Sequence, residues 1–203
     1  MKNMFWLLLL WVGILTGGSV LAAPSLPTDE AMLADRVLGK AEAPVTILDY
    51  SSLTCPHCAA FATKILPSVK INYIDTGKVK LIYRDFPLDA TATAAAMLAR
   101  CVPQDLYYRF LDALFSSQAQ WAPSANPKKA LSNMARLSGM SEENINACLD
   151  DEALLKGVLA LKTEAVTLYK IEATPSLVIN GKTIAGVESY DELAKLIEAQ
   201  LHK

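Results

Sequence analysis

Two periods of apolar residues run along this chain. Residues 43–53, APVTILDYSSL, are rich in Val, Ile, Leu and Tyr, with apolar side chains on both faces of an extended segment, which predicts a central strand in a covered sheet. From 59 to 77 the period lengthens. Phe61, Ile65 and Val69 fall on one helical face, Gly77 closes the helix, and Pro67 predicts a kink within it. Helical spacing returns over 89–100 and 104–117, and again over 126–139, where Asn126 before Pro127 is the start signal and Gly139 the stop. Ser141 opens a shorter helix and residues 151–171 form a longer one. Tyr107, Tyr108, Phe110 and Phe115 recur at core spacing and are read as core. An apolar strand, SLVIN at 176–180, then turns back at Asn180-Gly181 as a hairpin and leads to a closing helix near 189–201.

The first 26 residues follow a different pattern. One early lysine, an apolar stretch from Phe5 to Leu15, a Gly17-Gly18 break and small residues at Ala22 and Ala23 make a secretory signal layout, with cleavage expected after Ala22. The competing reading is an uncleaved anchor, since the uncharged run extends from Asn3 to Thr28. Its strongly apolar part is short and broken by glycine, which favours cleavage and export. Removing residues 1–22 deletes Lys2 and moves the formal charge from −2 to −3. So weakly acidic a chain has no electrostatic footprint for nucleic acid. At 203 residues and 52% hydrophobic content, it can bury a sizeable core in one elaborated domain.

Export changes how the four cysteines are read, because thiols in an oxidising compartment end as disulfides unless something cycles them. Cys55 and Cys58 form a CPHC pair. A structural zinc site needs two further ligands, yet the only histidines are His57, inside the pair, and His202 near the C-terminus. Cys101 and Cys148 lie 47 positions apart, so no metal is expected. Haem attachment needs histidine directly after the second cysteine, and that residue is Ala59. The pair lies where strand gives way to helix, with Cys55 at the helix N-terminus and Pro56 in the first turn, where a missing N–H costs nothing. Unpaired backbone N–H groups and the helix dipole favour an anion there, and His57 adds a donor or a positive charge. A stabilised Cys55 thiolate makes the Cys55–Cys58 disulfide easier to reduce, and so an oxidant toward other thiols.

With CPHC in this setting, the chain resembles the DsbA-type thiol:disulfide oxidoreductases of the thioredoxin-like superfamily. Three ordered stretches carry the resemblance: RVLGKAEAPVTILDYSSLTCPHC (36–58), VKLIYRDFPL (79–88) and ATPSLVINGKTIAGVESYDELAKLI (173–197). It implies an α/β, thioredoxin-like fold over 41–88 and 172–203, a lead-in at 23–40, and an inserted helical subdomain at 89–171. It also implies a cis-proline at Pro175 facing the redox pair, with Thr174 and Pro175 binding substrate backbone. DsbA itself carries valine at the position of Thr174, and related isomerases often carry threonine. Asp49, six residues before Cys55, matches the buried acid that relays a proton to or from Cys58; the alternative is a partly solvated strand aspartate without chemistry. Cys101, following the first inserted helix, and Cys148, near the end of a later one, are expected to form a structural disulfide such as some DsbA-type proteins carry. Two separate buried thiols are the alternative.

The activity implied is donation of the Cys55–Cys58 disulfide to exported or unfolded polypeptides with free thiols, in the periplasm, by a monomer without a cofactor. A membrane quinone-linked oxidase is the implied partner for reoxidation. An isomerase or reductase of the same fold is the rival enzyme reading, though 23–36 is too short for the separate dimerisation domain of DsbC-type isomerases. An envelope chaperone or binding module is the rival outside enzymes.

Overall fold

The computed structural model describes residues 26–203; the signal segment expected at 1–22 lies outside the described residues. At the centre is β2 (Val45–Ser51), which pairs in parallel with β3 (Val79–Asp85) and antiparallel with β4 (Ser176–Ile179). β1 (Val37–Leu38) adds to the outer side of β3, and β5 (Lys182–Ala185) to that of β4, giving the order β1-β3-β2-β4-β5. The run of apolar residues on both faces of β2 thus marks a strand covered on both sides. Val45 and Ile47 meet one hydrophobic cluster, and Tyr50 meets another. β1 lies in the lead-in, so the sheet begins before residue 41. A two-residue strand has too little period to be seen in the sequence.

The helix after β2 runs over 56–74, but not as a uniform α-helix. Its α-helical turns α2 (Pro56–Ala60) and α3 (Leu66–Val69) are joined by a π-helical turn at Phe61–Ile65, and a second at Lys70–Ile74 ends it. The Leu66 N–H reaches back five residues to the Phe61 carbonyl. The wider turn accommodates Pro67, which has no N–H and whose ring would crowd the preceding turn. Phe61, Ile65 and Val69 are buried as one face against the sheet.

The helices between β3 and β4 pack into the largest cluster among the described residues, built around Leu98, Tyr107, Phe110, Leu114 and Ile145. They are α4 (Ala90–Cys101), α5 (Tyr107–Ser116), α6 (Gln118–Trp121), α7 (Pro127–Leu137), α8 (Glu142–Leu149) and α9 (Glu152–Tyr169). Side chains of Asp89, Asn126, Ser141 and Asp151 accept backbone N–H groups at four of the N-termini. Lys170, at φ 55°, ends α9 in a left-handed residue. A helix absent from the sequence reading, α1 (Asp29–Leu33), packs on α9 where Gly157 leaves room: a Cβ there would lie 2.2 Å from Leu33. Cys101 is the last residue of α4 rather than beyond it, and it is joined to Cys148 of α8 by a disulfide.

One buried ion pair ties insertion to sheet. Arg100 Nε donates to Asp85 Oδ2 at 2.7 Å, and Arg100 also bonds the carbonyls of Met32 and Ala34. Arg36 caps the carbonyls of Ala99, Arg100 and Val102, and both guanidinium groups lie against the ring of Tyr107. At the far end of the sheet, Asn180 (φ 47°) and Gly181 (φ 84°) make the tight turn between β4 and β5, leading to α10 (Tyr190–Leu201).

Candidate active site

β2 ends by delivering Ser51 and Ser52 into a tight turn closed by a bond from the Cys55 N–H to the Ser52 carbonyl at 3.1 Å. Cys55 is extended (φ −80°, ψ 120°) as the residue capping α2, Pro56 is the first helical residue, and the Cys55 carbonyl accepts the first helical bond from Ala59. Helical geometry then turns Cys58 inward, where it is fully buried beside the Ser52 N–H at 3.4 Å. Cys55 is buried but nearer the surface, at 7% exposure. From the other side comes the loop before β4, with a cis bond between Thr174 and Pro175; the Cys55 thiol donates to the Thr174 carbonyl at 3.5 Å. The Thr174 hydroxyl is buried and acts to lower both thiols.

The two thiols are pushed in opposite directions. Burial acts to raise Cys55, but it is outweighed by hydrogen bonds from Thr174, from the Cys58 N–H and thiol and from the His57 N–H, which leave it below the ordinary value. For Cys58 burial prevails. Donors from Thr174, Ser51 and Ser52 oppose it, Asp49 adds repulsion, and the thiol is pushed up to about 12. His57 itself is exposed, and it is the His57 main-chain N–H that reaches the Cys55 sulfur.

Asp49 is 2% exposed, which removes the solvated alternative. Burial raises its carboxyl to about 6, and the Ser51 hydroxyl donates to it at 2.5 Å, opposing the rise. Ser51 therefore stands between the Asp49 carboxyl and the Cys58 thiol.

Three residues at the site escaped the sequence reading. Ser51 was legible, as a polar residue ending an apolar strand beside CxxC. Asp89, which takes a bond from Thr54 at 2.7 Å while capping α4, and Gln118, which bonds the carbonyls of Leu53 and Cys55, arrive from distant parts of the chain without a motif. A groove of about 500 Å³ opens beside the cis-proline loop, lined among others by His57, Phe61, Lys64, Thr174, Pro175 and Val187. A larger hollow of about 850 Å³, between β1, the 56–74 helix and α5, touches neither cysteine.

Paired thiols opposite a cis-proline, on a mixed sheet of this order, define a thioredoxin-fold thiol redox protein. Residues 32–199 match the family model described as Thioredoxin, and the chain belongs to that family. A Rickettsia typhi relative named as a protein-disulfide oxidoreductase is 30% identical over 168 residues, covering 82% of this chain and 62% of its own length. The chain thus spans about three fifths of the length of such Rickettsia relatives. Among solved structures, alpha-DsbA1 of Wolbachia pipientis is similar with a TM-score of 0.77 and 31% identity, over 83% of this chain and 91% of that one. Oxidised BdbD of Bacillus subtilis is similar with a TM-score of 0.76 and 26% identity, over 88% and 97%. These neighbours bear out the DsbA-type resemblance and its helical insertion.

Proposed function

We propose that this protein is a thiol:disulfide oxidoreductase that donates the Cys55–Cys58 disulfide to exported polypeptides during oxidative folding. The observation that carries the reading is the opposed pair of thiols: one lowered and near the surface, one raised and buried. A substrate thiolate attacks Cys55 Sγ of the oxidised pair, forming a mixed disulfide and releasing Cys58 as a thiolate that takes up a proton. Asp49, poised at about 6 and linked through Ser51, is the proton relay. A second substrate thiolate then attacks the substrate sulfur of the mixed disulfide, and Cys55 leaves as the stabilised thiolate. The substrate has lost two electrons as a new disulfide, and the enzyme holds them as two reduced cysteines.

The groove beside Thr174 and Pro175 suits an extended polypeptide, with His57 on its helix side. A membrane quinone-linked oxidase is the partner proposed to reoxidise the pair, and the periplasm is the compartment in which a monomer of this kind works on exported chains. The test is oxidative refolding of a reduced, unfolded model protein by residues 23–203. Acceleration that vanishes in Cys55→Ser supports the reading. Help that survives Cys55→Ser makes the chain a binding module, and activity confined to reshuffling a scrambled substrate makes it an isomerase.

A further inference from the structure

Gln118, in the first turn of α6, is only 6% exposed. A buried primary amide is costly unless its N–H groups are used. Here Nε2 donates at 2.8 Å to the carbonyl of Leu53 and at 3.0 Å to that of Cys55. Both acceptors belong to the turn that carries the outer cysteine, while the donor comes from the inserted helices, 63 residues beyond Cys55. The insertion holds the same turn at a second point, since Thr54 donates to the carboxylate of Asp89, which also caps α4. Residues 53–55 are therefore gripped in sequence by Gln118, Asp89 and Gln118.

The grip has an electrostatic consequence. The carbonyl oxygens of Leu53 and Cys55 are the negative ends of peptide dipoles close to a sulfur that must carry negative charge. An amide donor on both offsets them and fixes the turn with the N–H groups of His57 and Cys58 aimed at that sulfur. We propose that Gln118 is a positioning residue for Cys55, making the inserted helices part of the redox site rather than a cover over it. This deepens the oxidoreductase reading and rests on it.

The test compares wild type with Gln118→Met, which keeps the length without donors, and Gln118→Glu, which keeps the shape but puts acceptors against the carbonyls. Gln118→Asn, withdrawing the donor by one methylene, is the milder variant should the others fail to fold. The readouts are the pH titration of thiolate ultraviolet absorbance in the reduced protein, and the equilibrium of the disulfide with glutathione. In Gln118→Met the Cys55 titration rises by about one pH unit, and the equilibrium constant for reduction by glutathione falls up to about tenfold. Gln118→Glu moves further in the same direction, and Gln118→Asn less far. Variants that melt earlier in both redox states but keep the wild-type titration and glutathione equilibrium assign Gln118 to packing alone and overturn the proposal. The wild-type equilibrium decides the oxidase reading by itself, and the ratio of variant to wild type decides the role of Gln118.

Discussion

Cys55 and Cys58 lie on a single helical turn, yet their thiols are driven apart, Cys55 below the ordinary value and Cys58 to about 12. The cause is position along the turn. Cys55 caps the helix and meets N–H groups, whereas Cys58 points into the core beneath it. In the reduced protein, brief treatment with iodoacetamide at neutral pH is therefore expected to alkylate Cys55 and spare Cys58, as mass spectrometry of the peptides will read. Equal labelling of both would contradict the asymmetry.

Asp49 gives stability a pH dependence of definite sign. Its carboxyl rises from 3.8 in the unfolded chain to about 6 in the fold, so the folded state binds the proton more tightly. That contribution is fully present below pH 3.8 and is lost as pH rises through about 6. The loss is on the order of 2–3 kcal/mol. Asp49→Asn should gain stability over wild type as pH rises from about 4 to 7, reaching about that amount by pH 7, measured by urea unfolding. It should also slow formation of the mixed disulfide with substrate, because the relay that protonates the departing Cys58 is gone.

The Arg100–Asp85 pair is almost fully buried, with side chains 1% and 0% exposed. Removing one partner strands the other without solvent, which typically costs about 3–5 kcal/mol. Arg100→Met also orphans the carbonyls of Met32 and Ala34, so a loss at the upper end of that range is expected in chemical denaturation.

The Cys101–Cys148 bond closes a loop of 47 positions joining α4 to α8. In the chain-entropy model such a loop stabilises by about 4 kcal/mol. Replacing both cysteines by alanine should lower the unfolding free energy by roughly that much, while Cys55 keeps its alkylation rate, since neither residue lines the redox groove.

The parts of this molecule legible in the sequence are those with a period or a motif. β2 declared itself by apolar residues on both faces, α7 and α8 by their caps at Asn126 and Ser141, the hairpin by Asn180-Gly181, and the redox pair by its spacing. The bend expected at Pro67 takes the form of widened π turns, because a chain can absorb the missing N–H by shifting its hydrogen-bond register. Short elements such as α1, β1 and α6 are stabilised by tertiary contacts, which leave no periodic trace. For the same reason Gln118 was invisible: its importance lies in two carbonyls more than sixty positions away.

The most direct measurement is the reduction potential of Cys55–Cys58 in the chain lacking residues 1–22, equilibrated in glutathione buffers. A stabilised Cys55 thiolate above a Cys58 held as its thiol favours an oxidising pair, and the account predicts a potential well above ~−180 mV. A value near ~−270 mV would contradict disulfide donation and make the protein a reductant, or an isomerase kept reduced.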